Sequence, residues 1–170
     1  LKLVDKYCKK DNLILSGGCA LNCVANSLVK KNIWIMPNPG DSGSALGCIP
    51  AVSKNKLKWE GPFLGTNIEG EYPVDSIIKE LDRNEIVGVA NGRAEYGPRA
   101  LGNRSLLADP RGDEIKDKVN QIKKRQEFRP FAPAILEEDV HHYFAMPVRT
   151  SPYMQFLSLI HISEPTRLLR

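Results

Sequence analysis

The sequence predicts an α/β fold with a sheet that is at least partly parallel. Two observations carry this. Short apolar runs of strand type alternate with stretches of helical period over the first fifty or so residues, and the alternation resumes near residue 74. Glycine- and proline-rich turns separate the runs, so each element has a defined end.

In chain order, Leu1, Val4, Tyr7 and Cys8 are spaced for one helical face. Asn12 to Ser16 reads as a short buried strand, broken by Gly17-Gly18, and Cys19 to Lys30 as a helix of small and apolar residues. Ile33 to Met36 is a second strand. The turn Pro37 to Gly43 then opens a helix from Ser44 to about Ser53. Residues 55–73 carry charge and glycine-proline signals with few periodic apolar positions, and read as a linker. Val74 to Leu81 is a helix and Ile86 to Ala90 a strand. After an arginine-rich loop, Ser105 to Ala108 is a strand. Asp113 to Lys123 is a helix with Ile115, Val119 and Ile122 on one face. Phe131 to Leu136 reads as a strand, and Glu137 to His142 begins a helix. The stretch 157–170 has no clear period and no caps, and reads as a non-native tail outside the fold. The units expected are therefore 1–54, the linker, and 74–156.

A chain of 170 residues with 42% hydrophobic content can bury a core. Its formal net charge of +4 is local. Between Arg93 and Pro130, ten Lys/Arg face six Asp/Glu, an excess equal to that of the whole chain. A positive field confined to one window favours a site over general solubility. No apolar run reaches the length of a membrane span. The first residues are no signal peptide, lack an initiator Met and look like mid-helix, so the chain is expected to begin inside a larger protein. Cys8, Cys19, Cys23 and Cys48 show no C-x-x-C spacing and read as reduced, buried residues of a cytoplasmic protein.

The most specific chemistry lies in Gly92 to Ser105, which sets Arg93, Arg99, Arg104, Asn103 and Ser105 among three glycines and a proline. A guanidinium is always charged and presents five donors in a flat fork that suits phosphate or carboxylate. Glycines let backbone approach a ligand closely. At about 4 Å and an effective dielectric near 20, one such charge pair is worth roughly 4 kcal/mol before desolvation. The combination predicts guanidinium groups converging on a pocket for a small, multiply charged anion. Surface ion pairs, the plainer reading, fit poorly with so few acids nearby. Lys124, Arg125 and Arg129 form a second basic cluster, which also fits the end of a helix. Ser16 to Asn22 is a strand, a diglycine turn and a helix start. It is either a tight packing turn or a place where a nucleotide meets Gly17, Gly18 and Asn22. In Pro39 to Ser44, Asp41 or Ser42 caps the next helix, or Asp41 offers a hard oxygen to a divalent metal.

Taken together, Ser16 to Asn22, Gly40 to Gly47 and Gly92 to Arg111 resemble the carbamoyltransferase family that includes Nod-factor and antibiotic O-carbamoyltransferases. Phe128 to Pro133 and Ser151 to Met154 support the likeness, which covers residues 1 to about 156 in order. The resemblance implies the end of an actin/hexokinase-type ATPase-like domain followed by a truncated YrdC-like α/β domain. It implies two steps: carbamoyl phosphate and ATP give carbamoyl adenylate and pyrophosphate, and the carbamoyl group then passes to a hydroxyl-bearing small molecule. Arg93, Arg99, Asn103, Arg104 and Ser105 would line the first site, with Arg111, Lys124, Arg125 and Arg129 completing its positive wall. Gly17, Gly18 and Asn22 would contact the adenylate. Asp41 would join a divalent metal such as iron in the transfer domain, and Mg would accompany ATP. The family's paired metal-binding histidines lie upstream and have no counterpart here, so a missing N-terminal portion is an expected partner. The rival is a YrdC-like nucleic-acid-binding module without transferase activity. Basic residues interleaved with glycines, and few stacking aromatics, speak against it.

Overall fold

Two strands, β1 (Asn12–Leu15) and β2 (Asn32–Ile35), form the parallel pair that the sequence predicts, with Leu13 opposite Ile33 and Ile14 opposite Trp34. They belong to a computed structural model that describes residues 1–157 apart from 84–85, 112–113, 146 and 149. A short helix, α1 (Lys2–Tyr7), precedes β1 as expected but buries none of its residues. Between the strands the chain is less helical than its composition indicates. A 3-10 turn (Gly18–Leu21) is followed by one short helix, α2 (Cys23–Ser27). The break falls at Asn22, whose side chain accepts from the Ala25 N–H at 3.0 Å and starts α2 afresh.

The next helix, α3 (Asp41–Ser53), begins three residues earlier than the sequence indicates. Gly40 occupies its N-cap position, and neither Asp41 nor Ser42 caps it through a side chain. The turn before it is tight. A Cβ on Gly43 would overlap the Asn38 carbonyl oxygen, so only glycine fits there.

The stretch 55–73 contains a strand, β3 (Asn67–Ile68), that pairs antiparallel with β5 (Gly92–Arg93). Pro62, in the same stretch, is fully buried. Helix α4 (Val74–Leu81) packs on strand β4 (Ile86–Ala90), which pairs antiparallel over its full length with β6 (Arg104–Ala108). Helix α5 (Ile115–Ile122) follows, and α6 (Val140–Tyr143) closes the series. Val119 is buried on α5, but Ile122 of the expected apolar face is 56% exposed.

Three further expectations fail. The strand β1 is not buried: none of its residues is, and Ile14 is 72% exposed. Phe131 to Leu136 forms no strand: Pro130 and Pro133 remove ladder donors at its start and middle, and no partner strand is paired with it. The cysteines are not buried either. Cys19 and Cys48 are exposed and Cys8 and Cys23 half-buried, all four as free thiols.

Among the described residues the buried apolar side chains, prolines aside, are Ala20, Ile35, Ile77, Val89 and Val119. Polar groups hold the rest. Asn26 donates to the carbonyls of Ala20 at 2.8 Å and Gln155 at 2.9 Å. Gln155 donates in turn to Ile35 and Met36, and Leu157 N–H donates to Ser27 Oγ at 2.7 Å. Residues 154–157 thus lie along the first unit, and Leu157, the first residue of the expected tail, takes part. The remainder of that tail, 158–170, lies outside the described residues. No helix among the described residues is long and apolar enough to cross a membrane.

Candidate active site

The arginine loop is built around an acid. Glu95 Oε1 accepts from three main-chain N–H groups, those of Leu101 at 2.9 Å, Asn103 at 2.8 Å and Arg104 at 3.1 Å. Partial burial alone would push this carboxyl up. The N–H groups of Leu101, its own residue, Asn103 and Arg104 outweigh that and hold it below the ordinary glutamate range. Folded around this carboxylate, the loop turns its side chains onto the strands beneath. Asn103 Nδ2 donates to the Arg93 carbonyl at 2.8 Å, and Ser105 Oγ accepts from Gly102 N–H at 3.0 Å.

Arg104 donates to the carbonyls of Asn91, Asn103, Thr66 and Gly92 at 2.6 to 3.2 Å. Arg99 reaches the other unit, donating to the Leu21 carbonyl at 2.9 Å and to Cys23 Sγ at 3.3 Å. Tyr96 donates its hydroxyl to the Ser42 carbonyl at 2.7 Å. Gly97, at φ +145°, runs so close to Pro37 that a Cβ would sit 3.2 Å from its carbonyl oxygen. These arginines therefore tie main chain together rather than converging on a common cavity, since one guanidinium fork can donate to carbonyls of several neighbouring segments at once. Arg93 is different. It is exposed and its side chain has no hydrogen-bond or ion-pair partner among the described residues.

The second basic cluster divides in the same way. Asn120 is fully buried and donates to the carbonyls of Glu127 at 3.1 Å and Arg129 at 3.3 Å. Its Oδ1 accepts from Arg125 Nε at 2.6 Å, and Arg125 lies over the Phe131 ring at 4.3 Å. Burial first, and then the charge of Arg129, push the Arg125 guanidinium below its ordinary value. Lys124 and Arg129 are exposed and have no hydrogen-bond or ion-pair partner among the described residues. Arg111 is a strut between Asp109, at 2.8 and 2.9 Å from Nε, and Asp82, at 3.0 Å from Nη2. The Arg111 hydrogen bonds hold the buried Asp109 below the usual aspartate range.

In the first unit the two glycine-rich turns meet. Gly17 N–H donates to the Pro39 carbonyl at 2.7 Å. Ser16, Met36, Asn38, Pro39, Gly43, Ser44 and Gly47 line a cavity of about 310 Å³ between them. Gly18 lies exposed beside Gly17 at the start of the 3-10 turn. Asn22, expected to meet a sugar or base, commits its side-chain Oδ1 to the α2 cap. Asp41 is exposed at the first position of α3. A hard divalent cation takes about six oxygen ligands. Among the described residues no group of three or more His, Cys, Asp or Glu could hold one. Asp41 offers one carboxylate, and the described residues alone do not fit a metal centre.

Glu95 and Asn120 were missed by sequence reasoning. Glu95 sits inside the arginine loop itself, and a single acid among three guanidinium groups was the available signal. Asn120 carried none, since an asparagine on a helix most often faces water.

Comparison with known proteins bears on the whole chain. A family profile described as carbamoyltransferase N-terminus matches residues 1–49, and one described as carbamoyltransferase C-terminus matches residues 78–168. An uncharacterized protein of Synechocystis sp. is 38% identical over 93% of the chain and 31% of its own length. Nodulation protein NolO of Bradyrhizobium diazoefficiens is 37% identical over 85% of the chain and 33% of its own length. Nodulation protein U of Sinorhizobium fredii is 38% identical over 85% of the chain and 29% of its own length. The chain thus spans about a third of the length of these relatives.

Proposed function

Because the chain belongs to the carbamoyltransferase family, we propose that it carries part of an ATP-dependent O-carbamoyltransferase. In this reading residues 1–54 end an actin/hexokinase-type transfer domain and 74–156 form a YrdC-like domain that makes carbamoyl adenylate. The observation that most supports it is the ordered match to both family regions, with the Gly92–Arg111 segment inside the second. The positive window of the sequence agrees, and the nucleic-acid alternative gains nothing from the geometry.

For atoms to balance, water releases inorganic phosphate from carbamoyl phosphate. A carbamate oxygen then attacks the α-phosphorus of ATP and displaces pyrophosphate. The carbamoyl carbon is next attacked by an acceptor hydroxyl, whose proton is lost as AMP leaves. Two anions must approach each other in the adenylation step, so positioned cations lower its barrier. Arg93, Lys124 and Arg129 have uncommitted charges and take that role. Arg99, Arg104, Arg111 and Arg125, with Asn103 and Ser105, set the main chain that carries them. Gly17 and Gly18, beside the 310 Å³ cavity, present main chain to the adenylate, and Asn22 its free amide group. Mg accompanies the triphosphate. A metal of the transfer domain would take Asp41 together with donors from elsewhere in the protein. The need for ATP puts the reaction in the cytoplasm.

The test is exchange of labelled pyrophosphate into ATP by the full-length protein, with and without carbamoyl phosphate. Arg93→Ala, which disturbs no contact of its own side chain, should lower the exchange at least tenfold and leave the denaturation midpoint unchanged. Unaltered exchange in that variant would remove Arg93 from the site.

A further inference from the structure

Glu95 is the one acid within the Gly92–Ser105 segment, and no cation among the described residues forms an ion pair with it. Its partners are main-chain N–H groups converging on one oxygen from residues 101, 103 and 104. Hydrogen bonds to an ionised acceptor are roughly twice as strong as neutral ones. A carboxylate among several amides therefore fixes a glycine-containing loop that lacks a ladder of its own.

We propose that Glu95 is the positioning residue of the site: its carboxylate folds residues 101–104 so that Asn103 holds the Arg93 carbonyl and Arg93 projects as an unshared charge toward the phosphate-bearing substrate. The link is short. Asn103 receives the carboxylate through its N–H and passes the constraint to Arg93 through its side-chain amide. Arg104 receives it through its N–H and clamps Gly92 of β5, Asn91 before it and Thr66 beside it. Glu95 touches no substrate in this account. It acts through Asn103 and Arg104, and its catalytic consequence rests on the carbamoyltransferase reading above.

Glu95→Gln keeps the length and an acceptor oxygen but removes the charge, and Glu95→Ala removes both. In the full-length protein, deuterium uptake at the amides of Leu101, Asn103 and Arg104 should rise from wild type to Gln to Ala. Uptake in β1 and α4 should stay unchanged. The Michaelis constant for carbamoyl phosphate or ATP in pyrophosphate exchange should rise in the same order, at least tenfold for Ala. A wild-type Michaelis constant in both variants overturns the positioning role, as does unchanged uptake at the three amides. Uptake that rises equally everywhere overturns it too, since it marks a general loss of fold. A wild type without exchange, in which the three amides still lose protection on substitution, sinks the carbamoyltransferase reading and leaves the anchoring standing.

Discussion

Arg104 directs its guanidinium at four main-chain carbonyls, of which those of Thr66 and Asn103 also accept the N–H groups of Ala94 and Asn91. Arg104→Ala should therefore cost about 1.5–3 kcal/mol, the range for hydrogen bonds made by a charged group. Lysine should not rescue it, because an ammonium lacks the planar fork. Urea midpoints test this, and a midpoint within error of wild type would contradict it. Arg111 allows a pH test. Its hydrogen bonds depress the folded pKa of Asp109, so the stability they supply is fully present above the ordinary aspartate value of about 3.9 and disappears as pH falls through the folded value. The difference in urea midpoint between wild type and Arg111→Ala should be present at neutral pH and close on acidification; a constant gap would contradict it. At this scale the sequence showed which residues were charged but not which charges were committed. That depends on carbonyls brought near by folding, such as Thr66 to Arg104.

At the scale of elements, period and turn chemistry located β1, β2, β4, β6, α4 and α5 to within about two residues. Their apolar runs are bounded by glycine, proline or charge, and the boundaries followed. β3 escaped because two residues have no period to read, and it exists through its pairing with β5. Phe131 to Leu136 has the apolar content of a strand, but Pro130 and Pro133 deny it the donors a ladder needs. Cys19 to Lys30 has the composition of a single helix, but the Asn22 side chain caps α2 and separates it from the preceding turn. Asn22→Ala should cost about 1 kcal/mol through that cap. Asn22→Asp, which caps equally well, should be neutral in denaturation; a loss as large as alanine's would show that the oxygen does not serve the cap.

Across the whole molecule the two units are joined by side chains reaching main chain: Arg99 to Leu21, Tyr96 to Ser42, and Asn26 and Gln155 around α2 and β2. None of these joints had a sequence signal, because each links residues more than fifty positions apart. The positive window and the family-like segments were legible, since they are local. Asn26, 2% exposed, holds carbonyls from both ends of the chain, so Asn26→Ala should cost about 1–3 kcal/mol and loosen residues 154–157. Denaturation with deuterium uptake reads both effects; unchanged protection at 155–157 would contradict it. The central claim is chemical and has a direct measurement. Wild-type full-length protein, given ATP, Mg and labelled pyrophosphate, should form labelled ATP only when carbamoyl phosphate is present. Folded protein that forms none, or forms it equally without carbamoyl phosphate, would contradict the account.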